Sequence, residues 1–404
     1  MDSITQLTLG AAVGEAVLGR KVGNRAMLWG AIGGTLPDLD VFSSLVADPM
    51  SGLAFHRAIT HSFTYAVVTP LLLGWLLSRI YDPDRRKYWP RDFLLAGAGL
   101  MALLIIGAAV MPMPAPTAIK IALTVGAVML FFPLAAGLRE QWRRRPSTNG
   151  TVAWQGWAWL LFWAILTHPL LDACTTYGTQ LFQPFADTRV SLNNISVADP
   201  FYTLPFLLCV LIAMVMTRRT PRRRLVNWIG IGISSAYMLF TFYNKWRVDQ
   251  IFEKSLQEQG ITYHRMMTMP TILNNILWQG IAEGDTAYYR GLYSLLDSRP
   301  RVLEFDVIPK GHHLLAGHET DRAMRIIRWF SDEYYNVLRR KDGALQINDL
   351  RFGGISDKLR DESDYVFKFI VEQNQEEWDA RESREQPRDF NKAWHDFWQR
   401  VGGI

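Results

Sequence analysis

Gly34-Thr35-Leu36-Pro37-Asp38-Leu39-Asp40 ends a short, glycine-rich apolar run, and His56-Arg57-Ala58-Ile59-Thr60-His61-Ser62 opens a longer one. Far downstream, Thr167-His168-Pro169-Leu170-Leu171-Asp172 closes another. These three segments hold three Asp and three of the chain's eight His. Ionisable groups at the margins of apolar runs are costly and tend to mark function. Their placement predicts a metal site built at a membrane surface.

The runs around these segments set the fold class. Six stretches approach the roughly 20 apolar residues that a spanning helix needs: 61–80, 92–111, 117–137, 153–173, 201–217 and 226–243. The whole chain of 404 residues is 49% hydrophobic with a mean hydropathy near zero, but that average conceals a division. Residues 1–244 carry 20 Lys+Arg and 12 Asp+Glu, whereas residues 245–404 carry 23 and 26 and hold no run long enough to span. The expectation is an all-α polytopic membrane domain over 1–244, with a short N-terminal hairpin and six transmembrane helices, followed by a soluble α+β domain over 245–404.

Loop charge orients the spans. Basic clusters at 79–91, 139–145 and 218–224 alternate with loops at 112–116 and 174–200 that hold only Arg189. By the positive-inside rule the basic loops are cytoplasmic, so the protein is expected in the inner (cytoplasmic) membrane as a multi-pass chain. Residues 4–19 and 26–37, joined through Arg20, Lys21 and Arg25, read as a hairpin of small residues whose basic turn is also cytoplasmic. Asp38, Asp40, His56, His61, His168 and Asp172 then share the opposite, extracytoplasmic face, together with the polar C-terminal domain. Charge in short loops accounts for the basic pI, so nucleic acid is not an expected partner; the partners are the lipid bilayer and a lipid or lipid-linked substrate. Cys174 and Cys209 both sit in apolar context and read as small hydrophobes. Nothing in the sequence sets an oligomeric state.

Chemistry follows from residue type and spacing. His168 and Asp172, i and i+4, share one helix face. His56 and His61 would lie about 140° apart on one continuous helix, so His56 is expected in a preceding loop with Thr60 as N-cap. Asp38 and Asp40 flank Leu39 and would point the same way from an extended segment. Six donors fit two divalent ions better than one, and mixed Asp and His ligands suit Zn²⁺, Mn²⁺ or Fe²⁺. A paired site activates water and stabilises the attacking and leaving oxygens of ester or phosphoester hydrolysis. Arg57 offers a fork for a phosphate, and Glu15, inside the first apolar segment, is a candidate seventh ligand or general base, or a partner for Arg20 or Arg25. His312, His313 and His318 form a second histidine cluster, expected to be exposed.

Leu36-Pro37-Asp38-Leu39-Asp40, His56-Arg57-x-x-Thr60-His61-Ser62, His168-Pro169-Leu170-Leu171-Asp172 and Thr176-Tyr177-Gly178-Thr179-Gln180-Leu181 resemble the YdjM family of membrane-bound metal-dependent hydrolases. Asp199-Pro200-Phe201 and Pro270, Thr271, Asn274, Asn275 and Trp278 resemble its longer branch with a polar C-terminal domain. The resemblance implies a hydrolase loosely similar to zinc-dependent phospholipases C, with the six Asp and His as ligands. One departure is that many relatives carry a His where this chain has Thr5-Gln6-Leu7. Two rival readings remain: a transporter or metal-handling protein, which would need polar groups deep in the spans, and a non-catalytic scaffold whose tail binds a partner.

Toward the C-terminus, 286–293 and 302–307 read as strands, Glu319 to Asn336 as an amphipathic helix, and 336–352 as a hairpin turning at Lys341-Asp342-Gly343. The charged, Trp-rich tail from Gln373 reads as helix.

Overall fold

A computed structural model describes residues 1–82, 88–142, 152–354, 358–359, 361–373, 377–385 and 390–404. Two compact units emerge: Met1–Leu192 with Pro200–Met238, and Asn193–Asp199 with Leu239–Ile404.

The first unit is helical. α1 (Ser3–Val22) starts at Asp2, whose carboxylate accepts the Ile4 and Thr5 N–H groups. It reverses at Gly23, which takes φ 63°, into α2 (Asn24–Thr35). The two helices touch backbone to backbone along Gly10, Gly14, Gly30 and Gly34. A Cβ on Gly30 would stand 2.1 Å from the Gly10 carbonyl oxygen, and one on Gly14 2.1 Å from that of Ala26. The expected hairpin is therefore present, and glycine is what lets it close.

Pro37 then starts a 3₁₀ segment, Pro37–Leu45, rather than an extended one. It leads to α3 (Pro49–Phe55), capped by Asp48. A second 3₁₀ turn, Ile59–His61, precedes α4 (Phe63–Tyr81). Ser62, not Thr60, caps α4 by accepting the Tyr65 N–H at 3.1 Å. α5 (Trp89–Ala109), α6 (Ala115–Trp142), α7 (Trp154–Ala173) and α8 (Pro200–Val215) follow. α9 (Pro221–Glu258) belongs to this unit as far as Met238.

All six anticipated spans are helical. By length and composition, four are long and apolar enough to cross a membrane: α4, α5, α6 and α9. α8 has 16 residues, and α7 has 20 but carries Trp154, Trp157, Trp159 and Trp163, whose indole groups lower its hydropathy. α4 and α7 approach closely at Gly74, where a Cβ would lie 2.5 Å from the Ala158 nitrogen. Tyr65, Leu73, Leu76, Leu77, Trp157 and Leu161 form the core between them. Leu95, Ile106, Phe131 and Leu208 face outward, the surface a hydrocarbon environment accepts.

The second unit is α+β. β1 (Arg265–Pro270), β2 (Leu277–Glu283), β3 (Ala287–Ser294) and β4 (Phe305–Pro309) form one antiparallel sheet in sequence order. β5 (Tyr335–Arg339), β6 (Leu345–Asp349), β7 (Lys368–Glu372) and β8 (Asp379–Ser383) form a second. Val248, Phe252 and Leu256, near the end of α9, pack on Trp278, Tyr293 and Phe305. The Phe252 ring lies where a Gly280 Cβ would stand, its Cε1 only 2.2 Å away.

The strand expected at 286–293 is β3, and the expected hairpin at 336–352 is β5–β6. The strand expected from Val302 begins only at Phe305. The helix expected over Glu319–Asn336 is only α10 (Arg322–Phe330), because Asp332 and Glu333 take φ 51° and 60°, which a right-handed helix cannot include. The tail expected to be helical holds β8 before α11 (Phe390–Val401).

Candidate metal centre

Three parts of the helical unit bring four donors to one point. Asp38 is the second residue of the Pro37 3₁₀ segment. His61 ends the turn before α4, and His168 and Asp172 occupy the last turns of the antiparallel α7. Their ligating atoms all lie within 4.8 Å of one another. His61 Nε2 stands 3.0 Å from His168 Nε2, 3.5 Å from Asp38 Oδ1 and 3.3 Å from Asp172 Oδ2. His168 Nε2 is 3.3 Å from Asp38 Oδ1 and 3.4 Å from Asp172 Oδ2.

Donors placed 2.0–2.1 Å from a tetrahedral zinc ion stand about 3.3 Å apart. The five separations scatter around that edge length, so the donor set fits a divalent cation by distance as well as by type. Among the described residues the buried Asp172 Oδ2 accepts no hydrogen bond, which leaves its lone pairs open to a cation. The His61, His168 and Asp172 side chains are fully buried, and only Asp38, 20% exposed, opens the centre to one side.

The surrounding contacts fix which imidazole nitrogen faces inward. His168 Nδ1 meets the Gly34 carbonyl oxygen at 2.5 Å, so Nδ1 carries the proton and Nε2 keeps its lone pair. That carbonyl belongs to the last turn of α2, where no helical N–H remains to take it. His61 Nδ1 lies 3.0 Å from Thr60 Oγ1 and 3.4 Å from Asp40 Oδ2, the carboxylate–histidine pairing common behind metal ligands. Asp172 Oδ1 accepts from Gln6 Nε2 at 3.0 Å and from the Met1 amino group.

Asp40 and His56 stand beside the four rather than among them. In a 3₁₀ turn residues two apart face different directions, so Asp38 and Asp40 diverge where an extended segment would have aligned them. Asp40 Oδ1 contacts His56 Nδ1 at 2.8 Å, while Oδ2 accepts the Arg57 N–H at 2.8 Å and the Thr60 hydroxyl at 3.1 Å. Both oxygens are thus occupied by protein donors. His56 has a side chain 29% exposed, and its ring centroid is 6.2 Å from that of His61.

Arg57 is buried with φ 59°, a conformation that points its N–H at Asp40 while the guanidinium turns back to the centre. Its Nε lies 3.2 Å from Asp172 Oδ2, Nη1 donates to Thr175 at 3.1 Å, and the guanidinium carbon sits 4.8 Å from the centre of the Tyr177 ring.

Glu15 is placed elsewhere. It receives a two-pronged contact from Arg223, Nε to Oε1 at 2.8 Å and Nη2 to Oε2 at 2.5 Å, roughly 13 Å along α1 from Gln6. A carboxylate so engaged, and so far from the four donors, does not serve them as a base. The downstream histidines also stay apart: His312 stacks on Tyr335, while His318 stacks on Trp378 and pairs with Asp321.

Gln6 had no assigned role in the sequence, although an amide inside an apolar, small-residue helix is a signal of its own. Its side chain holds Asp172 rather than joining the four donors.

Outside the spanning helices, burial raises the Asp40 carboxyl pKa, but the nearby charges of His56 and His61 outweigh it and hold the group below the ordinary carboxylate range. Burial disfavours a charged His61, yet the Asp40 charge and hydrogen bonds to Asp172, Asp38 and Asp40 raise its pKa to about 10. Without a cation the cluster therefore holds a proton at neutral pH. Cation binding must expel that proton, so affinity rises with pH. Asp40→Asn removes the charge behind His61 and is expected to weaken metal affinity about 10- to 100-fold, with the metal-free chain still folded. Competition against a fluorescent chelator measures this, and unchanged affinity would remove Asp40 from the supporting role.

A family model described as YdjM inner membrane protein matches residues 1–113 and 122–248, which include every residue of the centre and its supports. Neither the curated proteins nor the solved structures yield a match.

Proposed function

From the premise that the chain belongs to the YdjM inner membrane protein family, we propose that it is a metal-dependent hydrolase acting on an ester or phosphoester, lipid or lipid-linked, at the extracytoplasmic face. The observation that carries the reading is the convergence of Asp38, His61, His168 and Asp172 at a junction of apolar helices.

In this reading the four residues hold one divalent ion rather than two, because Asp40 and His56 lie outside the four-donor group. When bound, the ion supplies Lewis-acid charge that polarises the scissile group and activates water near neutral pH. Asp40 acts as a positioning residue for both His61 and His56. Nδ1 of His56 is engaged by Asp40, so Nε2, on a partly exposed ring, is the atom that takes and returns a proton. Arg57 offers its guanidinium to the developing negative charge on the substrate oxygen. The centre opens beside Asp38, the side from which substrate reaches it. We read the C-terminal α+β domain as extracytoplasmic.

The test is metal analysis of the purified protein followed by hydrolysis assays on phosphodiester and lipid-ester panels, with and without chelator. One ion per chain is expected, together with turnover that chelation abolishes and that zinc or manganese restores. His56→Ala is expected to retain the ion while lowering kcat about 10²- to 10⁴-fold and removing one limb of its pH profile. A metal-loaded chain inert across both panels would overturn the hydrolase reading in favour of metal handling.

A further inference from the structure

At the other end of α1 from Gln6 lies a cavity of about 520 Å³, lined by Arg20, Arg218, Arg219, Arg224, Leu225 and Trp228 among others. Four arginines converge there, and Glu15, the one acid in its wall, is already neutralised by Arg223. Arg218 closes the base by donating to the Lys21 carbonyl oxygen at 2.9 Å. Arg20, Arg219 and Arg224 are exposed and make no ion pair among the described residues. Holding so many like charges around one cavity opposes folding unless an anion offsets them.

The floor adds a second, independent attraction. Thr220 and Pro221 line the cavity at the start of α9, whose first-turn N–H groups point outward and form a ready anion site. The Thr220 hydroxyl donates to the Thr217 carbonyl oxygen at 2.7 Å. Beside this polar floor, Leu225 and Trp228 are exposed on a helix long and apolar enough to cross a membrane. A ligand that satisfies both halves has an anionic head and an apolar body.

We propose that this cavity binds the phosphate of an anionic phospholipid headgroup, with the acyl chains lying along Leu225 and Trp228. The chemistry shared with other ligands is a phosphate anion held by guanidinium forks and a helix N-terminus. The assignment stands apart from the metal centre and would survive its failure.

The experiment uses the full chain in detergent with fluorescent phosphatidylglycerol as probe, and phosphatidylcholine and inorganic phosphate as competitors. Arg219→Glu with Arg224→Glu is expected to weaken phosphatidylglycerol binding at least about tenfold. The milder Arg219→Gln with Arg224→Gln should give a smaller loss at an unchanged thermal midpoint, which separates lost binding from lost fold. Phosphatidylglycerol resisting both competitors supports the lipid as ligand. Displacement by millimolar inorganic phosphate supports the same phosphate chemistry with a soluble source. Equal binding by parent and glutamine variant, or displacement by phosphatidylcholine as readily as by unlabelled phosphatidylglycerol, overturns the proposal.

Discussion

His168→Ala is expected to lower divalent-metal affinity by more than about 100-fold, so that the purified variant carries little of the parent's metal. Loss of an outer partner of a metal ligand typically costs 10- to 100-fold, and His168 is placed as a ligand itself. Its Nε2 forms three edges of the donor set: 3.0 Å to His61, 3.3 Å to Asp38 and 3.4 Å to Asp172. Elemental analysis reads the outcome, and a thermal scan in chelator distinguishes a lost ligand from a lost fold. Full metal content in this variant would show that the four donors do not form the site.

Gly30→Ala is expected to destabilise the helical unit strongly. The added methyl would meet the Gly10 carbonyl oxygen at 2.1 Å and the Gly14 backbone at 2.8–2.9 Å. These are backbone atoms, so no rotamer change makes room and α1 must move away from α2. Overpacking of this kind costs about 1–3 kcal/mol, occasionally more, and rigid contact on both sides places this case at the upper end. The displacement also draws Gln6 from Asp172, and with it weakens metal retention. Gly52→Ala is the control, since no atom lies within 4 Å of its added Cβ. A variant of Gly30 as stable as that of Gly52 would mean the hairpin is looser than described.

Asp38, His61, His168 and Asp172 were legible in the sequence because apolar context makes each ionisable group conspicuous, and because loop charge placed all of them at one face. Asp40 was legible as important but not in its role. Pro37-Asp38-Leu39-Asp40 is compatible with extended chain or a tight turn, and only the turn separates the two carboxylates. Glu15 drew attention as a buried acid, yet its partner Arg223 is 208 positions away, beyond any spacing rule. In the C-terminal unit β3 announced itself by its aromatic and β-branched residues. β2 did not, because its burial is nearly continuous and erases the alternation that marks a half-exposed strand.

The spread of the donors along the chain has a consequence for biogenesis. Asp38 and His61 leave the ribosome long before His168 and Asp172, and no two of the earlier residues make a complete cage. A nascent chain that ends before α7 can thread several helices into the bilayer while it still lacks His168 and Asp172, half of the donor set. The four donors therefore meet only once α7 has joined α4, while α8 and α9 are still to follow.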